Sequence, residues 1–285
     1  MDYKRERCSY NPLGMSVIGT IILSIGIVFL GTTLGSAAVF FLKKKPGDRF
    51  QAIAMGLASG VMLAAAFFGL LNPSIEEAQA TLVPSLSWLP PIGGLALGAL
   101  LLYLIDKVVP HLHVGASKAE GPAAPHLKEE FKFFLAVAIH NLPEGLVTGF
   151  SCGLALSAYQ AGNGEGALAF ATSALVLSVG IAIQDLPEGM AVSVPLYIDG
   201  MSRGKAFGYG VLSGAVEPVA AILGMFLSTF LSSAMPWFLS FGAGAMLYVI
   251  VEDLVPHVSK KGVEHFGLAA FMIGFGFMML MELLL

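Results

Sequence analysis

Charge is scarce in this chain. Only 12% of its 285 residues are Asp, Glu, Lys or Arg, about half of the ~25% usual in a soluble domain. Cysteine is nearly absent too. Cys8 and Cys152 provide neither a disulfide framework nor a Cys-x-x-Cys metal clip. No His-Glu-x-x-His sequence occurs, so the common signature of a zinc-dependent peptidase is missing. No segment alternates apolar and polar residues as a barrel strand does. There is no clear cleavable signal peptide: Lys4, Arg5 and Arg7 precede an apolar run too long for a signal core and long enough to span a bilayer.

What remains is 56% hydrophobic, which describes a polytopic membrane protein. Eight apolar segments stand out, at roughly 15–42, 50–71, 92–110, 131–157, 166–198, 204–231, 235–256 and 264–285. Each reaches the ~20 residues that a spanning helix needs. Backbone groups in lipid must bond within their own segment, so these are helices rather than open strands. The expected fold is all-α, a single transmembrane domain over 1–285 with eight spanning helices.

Lysine and arginine orient it. The connections after helices 1, 3, 5 and 7, with their flanks, hold Lys43, Lys44, Lys45, Arg49, Lys107, Lys118, Lys128, Lys132, Arg203, Lys205, Lys260 and Lys261. The connections after helices 2, 4 and 6 hold none. By the positive-inside rule the odd-numbered connections are cytoplasmic and both termini face outside. The longest connection, 111–130, is rich in Pro, Gly and Ala and carries His111, His113 and His126. It reads as a flexible cytoplasmic loop, either a metal-capturing segment or a solvated linker with incidental histidines.

One motif occurs twice. His140-Asn141-Leu142-Pro143-Glu144-Gly145 lies in helix 4 and Gln184-Asp185-Leu186-Pro187-Glu188-Gly189 in helix 5. A carboxylate at membrane depth costs ~2.5 kcal/mol or more on insertion scales, so a duplicated one marks a site. A fainter echo links Ser59-Gly60-Val61-Met62-Leu63 of helix 2 to Ala243-Gly244-Ala245-Met246-Leu247 of helix 7, each followed by a proline, Pro73 and Pro256. Both echoes fall on antiparallel helices and fit a 3+2+3 inverted repeat of the kind found in many transporters. The second echo is equally well explained by how common these residues are in membrane helices.

Residues four apart share a helix face, so His140 points with Glu144 and Gln184 with Glu188. Asn141 and Asp185, three residues before each glutamate, flank the same faces. Pro143 and Pro187 each remove an amide donor and disturb the bond to the carbonyl four residues back. The glycines that follow let another helix approach closely. Helix 6 adds Glu217 before Pro218. Glu144, Asp185, Glu188 and Glu217 have no lysine or arginine at comparable depth. Such a cluster either neutralises itself or binds cations. Four carboxylates match two divalent ions. Imidazole, amide and carboxylate together suit zinc, iron(II), manganese or cadmium better than calcium. Met62 adds a thioether ligand or, more simply, packs.

Further acids lie near the membrane faces. Glu76 is an entrance candidate. Asp106, with His111 and His113, and Glu252-Asp253, with His257, are exit-path candidates, as against snorkelling interfacial charges. Glu282 also belongs to the path set. The GxxxG pairs Gly31/Gly35 and Gly94/Gly98 point to helix packing within the chain more than to dimerisation.

These residues resemble the Zrt/Irt-like (ZIP) divalent-metal transporters, most closely the bacterial GufA-type branch. The resemblance covers the whole chain and rests on His-Asn-x-Pro-Glu-Gly, Gln-Asp-x-Pro-Glu-Gly and the Glu-Pro of helix 6. It implies a binuclear metal centre between helices 4 and 5. One site would use His140, Glu144, Gln184, Glu188 and Met62. The other would use Asn141, Glu144, Asp185, Glu188 and Glu217. It further implies metal uptake into the cytoplasm by sliding of one helix bundle against another, and a homodimer. Gln184 stands where many members place histidine, and no long histidine-rich loop is present, which weakens any expectation of strict zinc selectivity.

The expected function is transport of divalent transition metals, zinc foremost and then iron, manganese or cadmium, across a bacterial inner membrane. The metal is cargo, and no resident cofactor is expected. The expected partners are the ions and the lipid bilayer, not nucleic acid. Two alternatives belong to other classes: an intramembrane metal-dependent enzyme, and a proton-coupled carrier of another solute.

Overall fold

A computed structural model describes residues 14–41, 47–111, 121–123, 129–198, 200–230 and 232–284. Helix dominates them. Helix α1 is Val17–Phe40, α2 Asp48–Thr81, α3 Leu89–Val108 and α5 Gly164–Ile198. Helix α4 is Glu129–Gln160. Helix α6 comes in two pieces, Arg203–Gly214 and Val216–Phe230. Helix α7 runs from Met235 to Val249 and on through Ile250–Leu254 and Val255–Val258, and α8 is Glu264–Leu283. Seven of the eight are long and apolar enough to cross a membrane. The remaining one, α4, has 32 residues, a rise of about 48 Å. The protein is an integral membrane protein.

Local chemistry sets the helix ends. Ser16 caps α1, its hydroxyl accepting from the Gly19 amide at 3.2 Å. Prolines 90 and 91 open α3, where their missing amides are not needed. Between α4 and α5, Gly162 turns the chain at φ 77°. Asn163 then accepts from the Gly166 amide at 3.0 Å to start α5. That short turn makes α4 and α5 antiparallel neighbours, so their two acidic motifs run in opposite directions.

Two departures from the sequence expectation have physical causes. First, α2 does not stop at 71 but continues to Thr81. Its middle, Ala65–Leu71, is π-helical, and the Asn72 amide reaches back five residues to the Phe67 carbonyl. The widened turn lets Pro73 follow inside one continuous helix, where a regular helix would have lost a bond and clashed. Secondly, the marked break is in α6, at Ala215, whereas α4 and α5 stay helical through Pro143 and Pro187.

Helices pack in close pairs: α1 on α5, α4 on α6, α2 on α8 and α3 on α7, with α4 also against α5. Small residues make these approaches possible. A Cβ on Gly31 or Gly35 of α1 would overlap the Ala182 or Leu186 carbonyl of α5. One on Gly60 of α2 would strike the Phe271 carbonyl of α8, and one on Gly244 of α7 the Leu95 carbonyl of α3. The apolar core joins α2, α4, α5 and α7 through Met62, Leu70, Val147, Phe150, Ile181 and Met246. Large apolar side chains such as Ile22, Leu97, Val219 and Ile273 line the outside, as a lipid-facing surface requires.

Candidate metal centre

The two copies of the motif meet at the middle of the α4–α5 interface. All their polar residues are buried: His140, Asn141 and Glu144 on α4, and Gln184, Asp185 and Glu188 on α5. One ligand oxygen from each of Glu144, Asp185 and Glu188 lies within 4.8 Å of the other two. Three carboxylates from two antiparallel helices therefore converge on one small volume. Gln184 closes the arrangement by donating from Nε2 to Glu144 Oε1.

Helix α6 brings the fourth acid. Its break at Ala215 makes Glu217 a first-turn residue of the second piece, where the exposed amides of a helix N-terminus favour negative charge. Glu217 is fully buried. Its Oε1 accepts two hydrogen bonds, from Asn141 Nδ2 at 2.9 Å and from Thr32 Oγ1 of α1 at 2.6 Å. Asn141 also donates to the Ser213 carbonyl at 3.0 Å, beside the helix break. Asn141 thus ties the first acidic motif to Glu217.

What these groups lack decides their chemistry. Asn141 Oδ1, Glu144 Oε2, Gln184 Oε1, both oxygens of Asp185 and Glu217 Oε2 are buried and receive no hydrogen bond. Burying one such acceptor without a donor costs ~1–3 kcal/mol, and six together are not a packing accident. No lysine or arginine occurs from 133 to 202 or from 206 to 259, so the stretches carrying the acids hold no permanent cation. A pocket of hard carboxylate and amide oxygens with no fixed cation suits a divalent metal ion; His140 is buried on the same helix as Glu144 but is not among the groups that converge within 4.8 Å.

The remaining candidates divide. Met62 is fully buried in the core cluster that also holds Leu177 and Ile181 of α5. Asp106 and His111 come together at the end of α3, Nε2 lying 3.6 Å from Oδ1, and His111 Nδ1 sits 2.8 Å from the Val109 carbonyl. Tyr248 of α7 donates to Glu252 Oε1 at 3.2 Å. Glu76 is exposed late in α2. Glu282 is half-buried against the π-helical part of α2: a Cβ on Gly69 would lie 3.1 Å from its Oε1. His113 and most of the 111–130 connection fall outside the described residues, as do the side chains of Asp253 and His257. Sequence reasoning passed over Thr32, which lies between Gly31 and Gly35. Nothing in the sequence sets its hydroxyl apart, since α1 also carries Thr20, Ser24, Thr33 and Ser36.

Known proteins can now be set beside this geometry. The family model described as ZIP zinc transporter matches residues 18–132 and 130–282. The chain is 30% identical to the zinc transporter ZIP11 of Bos taurus, with 96% of this chain and 98% of that protein covered. It is 32% identical to the zinc transporter ZIPB of Bordetella bronchiseptica, covering 93% and 81% respectively. It is 30% identical to the zinc transporter GufA of Myxococcus xanthus, covering 88% and 94%.

Proposed function

The chain belongs to the ZIP zinc transporter family and transports divalent metal ions, and we propose that it does so through the buried acids of α4, α5 and α6. The observation that carries this reading is the convergence of Glu144, Asp185 and Glu188 within 4.8 Å, surrounded by buried oxygens without donors. Two divalent ions would balance four carboxylates. His140, Glu144, Gln184 and Glu188, with Met62, would hold one. Asn141, Glu144, Asp185, Glu188 and Glu217 would hold the other. Zinc is the proposed principal cargo. The names of its relatives and the mixed nitrogen and oxygen donors support that choice. Iron(II), manganese and cadmium are proposed as further cargo, because Gln184 replaces a nitrogen ligand by an amide oxygen.

Alternating access is the proposed mode, built on an inverted repeat that exchanges α1 with α6, α2 with α7, α3 with α8 and α4 with α5. Several features support it. Under that exchange the α1–α5 pair becomes α6–α4, and α2–α8 becomes α7–α3, the close pairs of the fold. A Cβ on Gly189 would strike the Thr32 carbonyl of α1, and one on Gly145 the Glu217 carbonyl of α6. The π-helical stretch begins three residues after Met62 in α2 and four after Met246 in α7. All four acids ride on α1, α4, α5 and α6 as one group of helices. The other group holds α2, α3, α7 and α8. Sliding of the first against the second would carry the ions. The lysine and arginine distribution supports cytoplasmic odd-numbered connections, and inward delivery across a bacterial inner membrane is proposed from the likeness to the family.

The test uses purified protein in metal-free vesicles, with influx of zinc, manganese, iron(II) and cadmium measured beside Glu144→Ala. Metal influx by wild type, lost in the variant, is expected. Influx that persists undiminished in Glu144→Ala overturns the assignment of the site. Membership in a family of transporters favours this reading over an intramembrane metalloenzyme.

A further inference from the structure

Thr32 is fully buried in α1 and touches no part of the duplicated motif in sequence. Its hydroxyl nevertheless lies 2.6 Å from Glu217 Oε1. Three elements hold it there. Gly189 of α5 lies against its carbonyl, so a Cβ there would overlap it. Gly214, at the end of the first piece of α6, lies against its side chain, so a Cβ there would come within 2.7 Å of Thr32 Cβ. Gly31 and Gly35, one before and three after, seat α1 on the α5 backbone. A β-branched side chain in a helix has few χ1 choices, and in the one adopted here, against Gly214, the hydroxyl points at Glu217.

We infer that Thr32 is a positioning residue for the metal site: with Asn141 it holds one oxygen of Glu217 and thereby presents the other, Oε2, to the ion. This rests on the reading that the buried acids bind the transported metal. The two donors share Oε1, while Oε2 is buried and receives none. A carboxylate anchored on one oxygen cannot swing away when the ion leaves, nor turn both oxygens to the ion when it arrives. Monodentate ligation by Glu217 follows. Thr32 also stands, in the proposed repeat, where α6 has Glu217, since Gly189 abuts the one as Gly145 abuts the other. The pair thus joins equivalent places of the two halves, one bearing a carboxylate and the other the hydroxyl that steers it.

The test is titration of cadmium and zinc into the purified full chain by calorimetry, for wild type, Thr32→Val, Thr32→Ser and Glu217→Gln. Valine keeps the β-branch and removes the donor; serine keeps the donor and removes the methyl. Losing a group that orients a ligand costs about 10- to 100-fold in metal affinity. Thr32→Val is expected to lose that much, Thr32→Ser to recover most of it, and Thr32→Val added to Glu217→Gln to lose nothing further. Thr32→Ala serves the same comparison where the valine chain is not recovered folded. Wild-type affinity in Thr32→Val, equal weakness in the valine and serine chains, or an undiminished effect in the Glu217→Gln background each overturns the inference. A wild-type chain that binds no divalent metal overturns the site reading itself. A wild-type chain that binds metal, is weakened by Glu217→Gln and is indifferent to Thr32 overturns only the inference.

Discussion

Gln184 of α5 donates from its amide nitrogen to Glu144 of α4, joining the two copies of the motif across their antiparallel interface. The contact occupies Glu144 Oε1 and leaves Oε2 without a donor, so one group both braces a carboxylate and offers its own oxygen to an ion. Gln184→Leu keeps the bulk and removes both roles. The expected result is a fall in zinc affinity of about 10- to 100-fold, read by calorimetry in detergent. Unchanged affinity would show that Glu144 is held by other groups.

Gln184→His puts an imidazole nitrogen where this chain has an amide. With a borderline-soft ligand added, zinc should gain over manganese. Competitive uptake in vesicles reads the ratio, and a ratio that does not move rejects Gln184 as a determinant of preference.

Acid competes with metal for the same oxygens. Coordinated carboxylate and neutral imidazole must be free of protons, so binding is strongest toward neutral pH and weakens as the medium is acidified. The dissociation constant for cadmium is expected to rise between pH 7 and pH ~5, with protons released on binding. A constant affinity across that interval would argue against carboxylate and imidazole ligation.

Glycines at the helix seams should divide into two classes. At Gly145 and Gly189 an added Cβ meets the Glu217 and Thr32 backbones, and overpacking there costs about 1–3 kcal/mol. Gly26 and Gly276 have open space on that side, and alanine there should be neutral or improve helix stability by up to ~1 kcal/mol. Thermal unfolding in detergent separates the two classes. Equal melting temperatures for Gly189→Ala and Gly276→Ala would count against rigid seams.

At the α2 and α7–α8 surface, Lys260 Nζ lies 2.7 Å from Asp48 Oδ1 with both side chains half-exposed. Exposed pairs are worth ~0–1 kcal/mol. Lys260→Ala should leave transport intact and move the melting temperature little, and a large loss of transport would give this pair a role that its exposure does not suggest.

Legibility followed cost. Glu144 and Glu188 announced themselves because acid in hydrocarbon is expensive, and their spacing from His140, Asn141, Gln184 and Asp185 placed six side chains on two faces. Helix number followed from the apolar runs by the same logic. Thr32 stayed hidden because a threonine in a helix is cheap and α1 has several hydroxyls: each can bond its own backbone, and the reach of Thr32 to Glu217 depends on α1 meeting α6, a contact between residues 185 positions apart. The break at Ala215 was equally hidden. Pro218 lies three residues beyond it, but proline alone does not mark a break, since the helices that contain Pro143 and Pro187 stay whole. The second half of α2 was missed because hydropathy falls at Asn72, Glu76 and Glu77 while backbone bonding continues. A π-helical widening leaves no mark in composition.

The empty stretches between lysines and arginines also govern the electrical side of a transport cycle. Every acid that travels ionised and unfilled makes the returning group of helices an anion. Moving one elementary charge through 100 mV is worth about 2.3 kcal/mol, and a potential negative inside pushes an anion outward. With no fixed positive charge in the stretches that bear the acids, the unloaded carrier would be reset toward the outside by the membrane voltage itself. Two bound divalent ions would cancel that bias on the inward stroke.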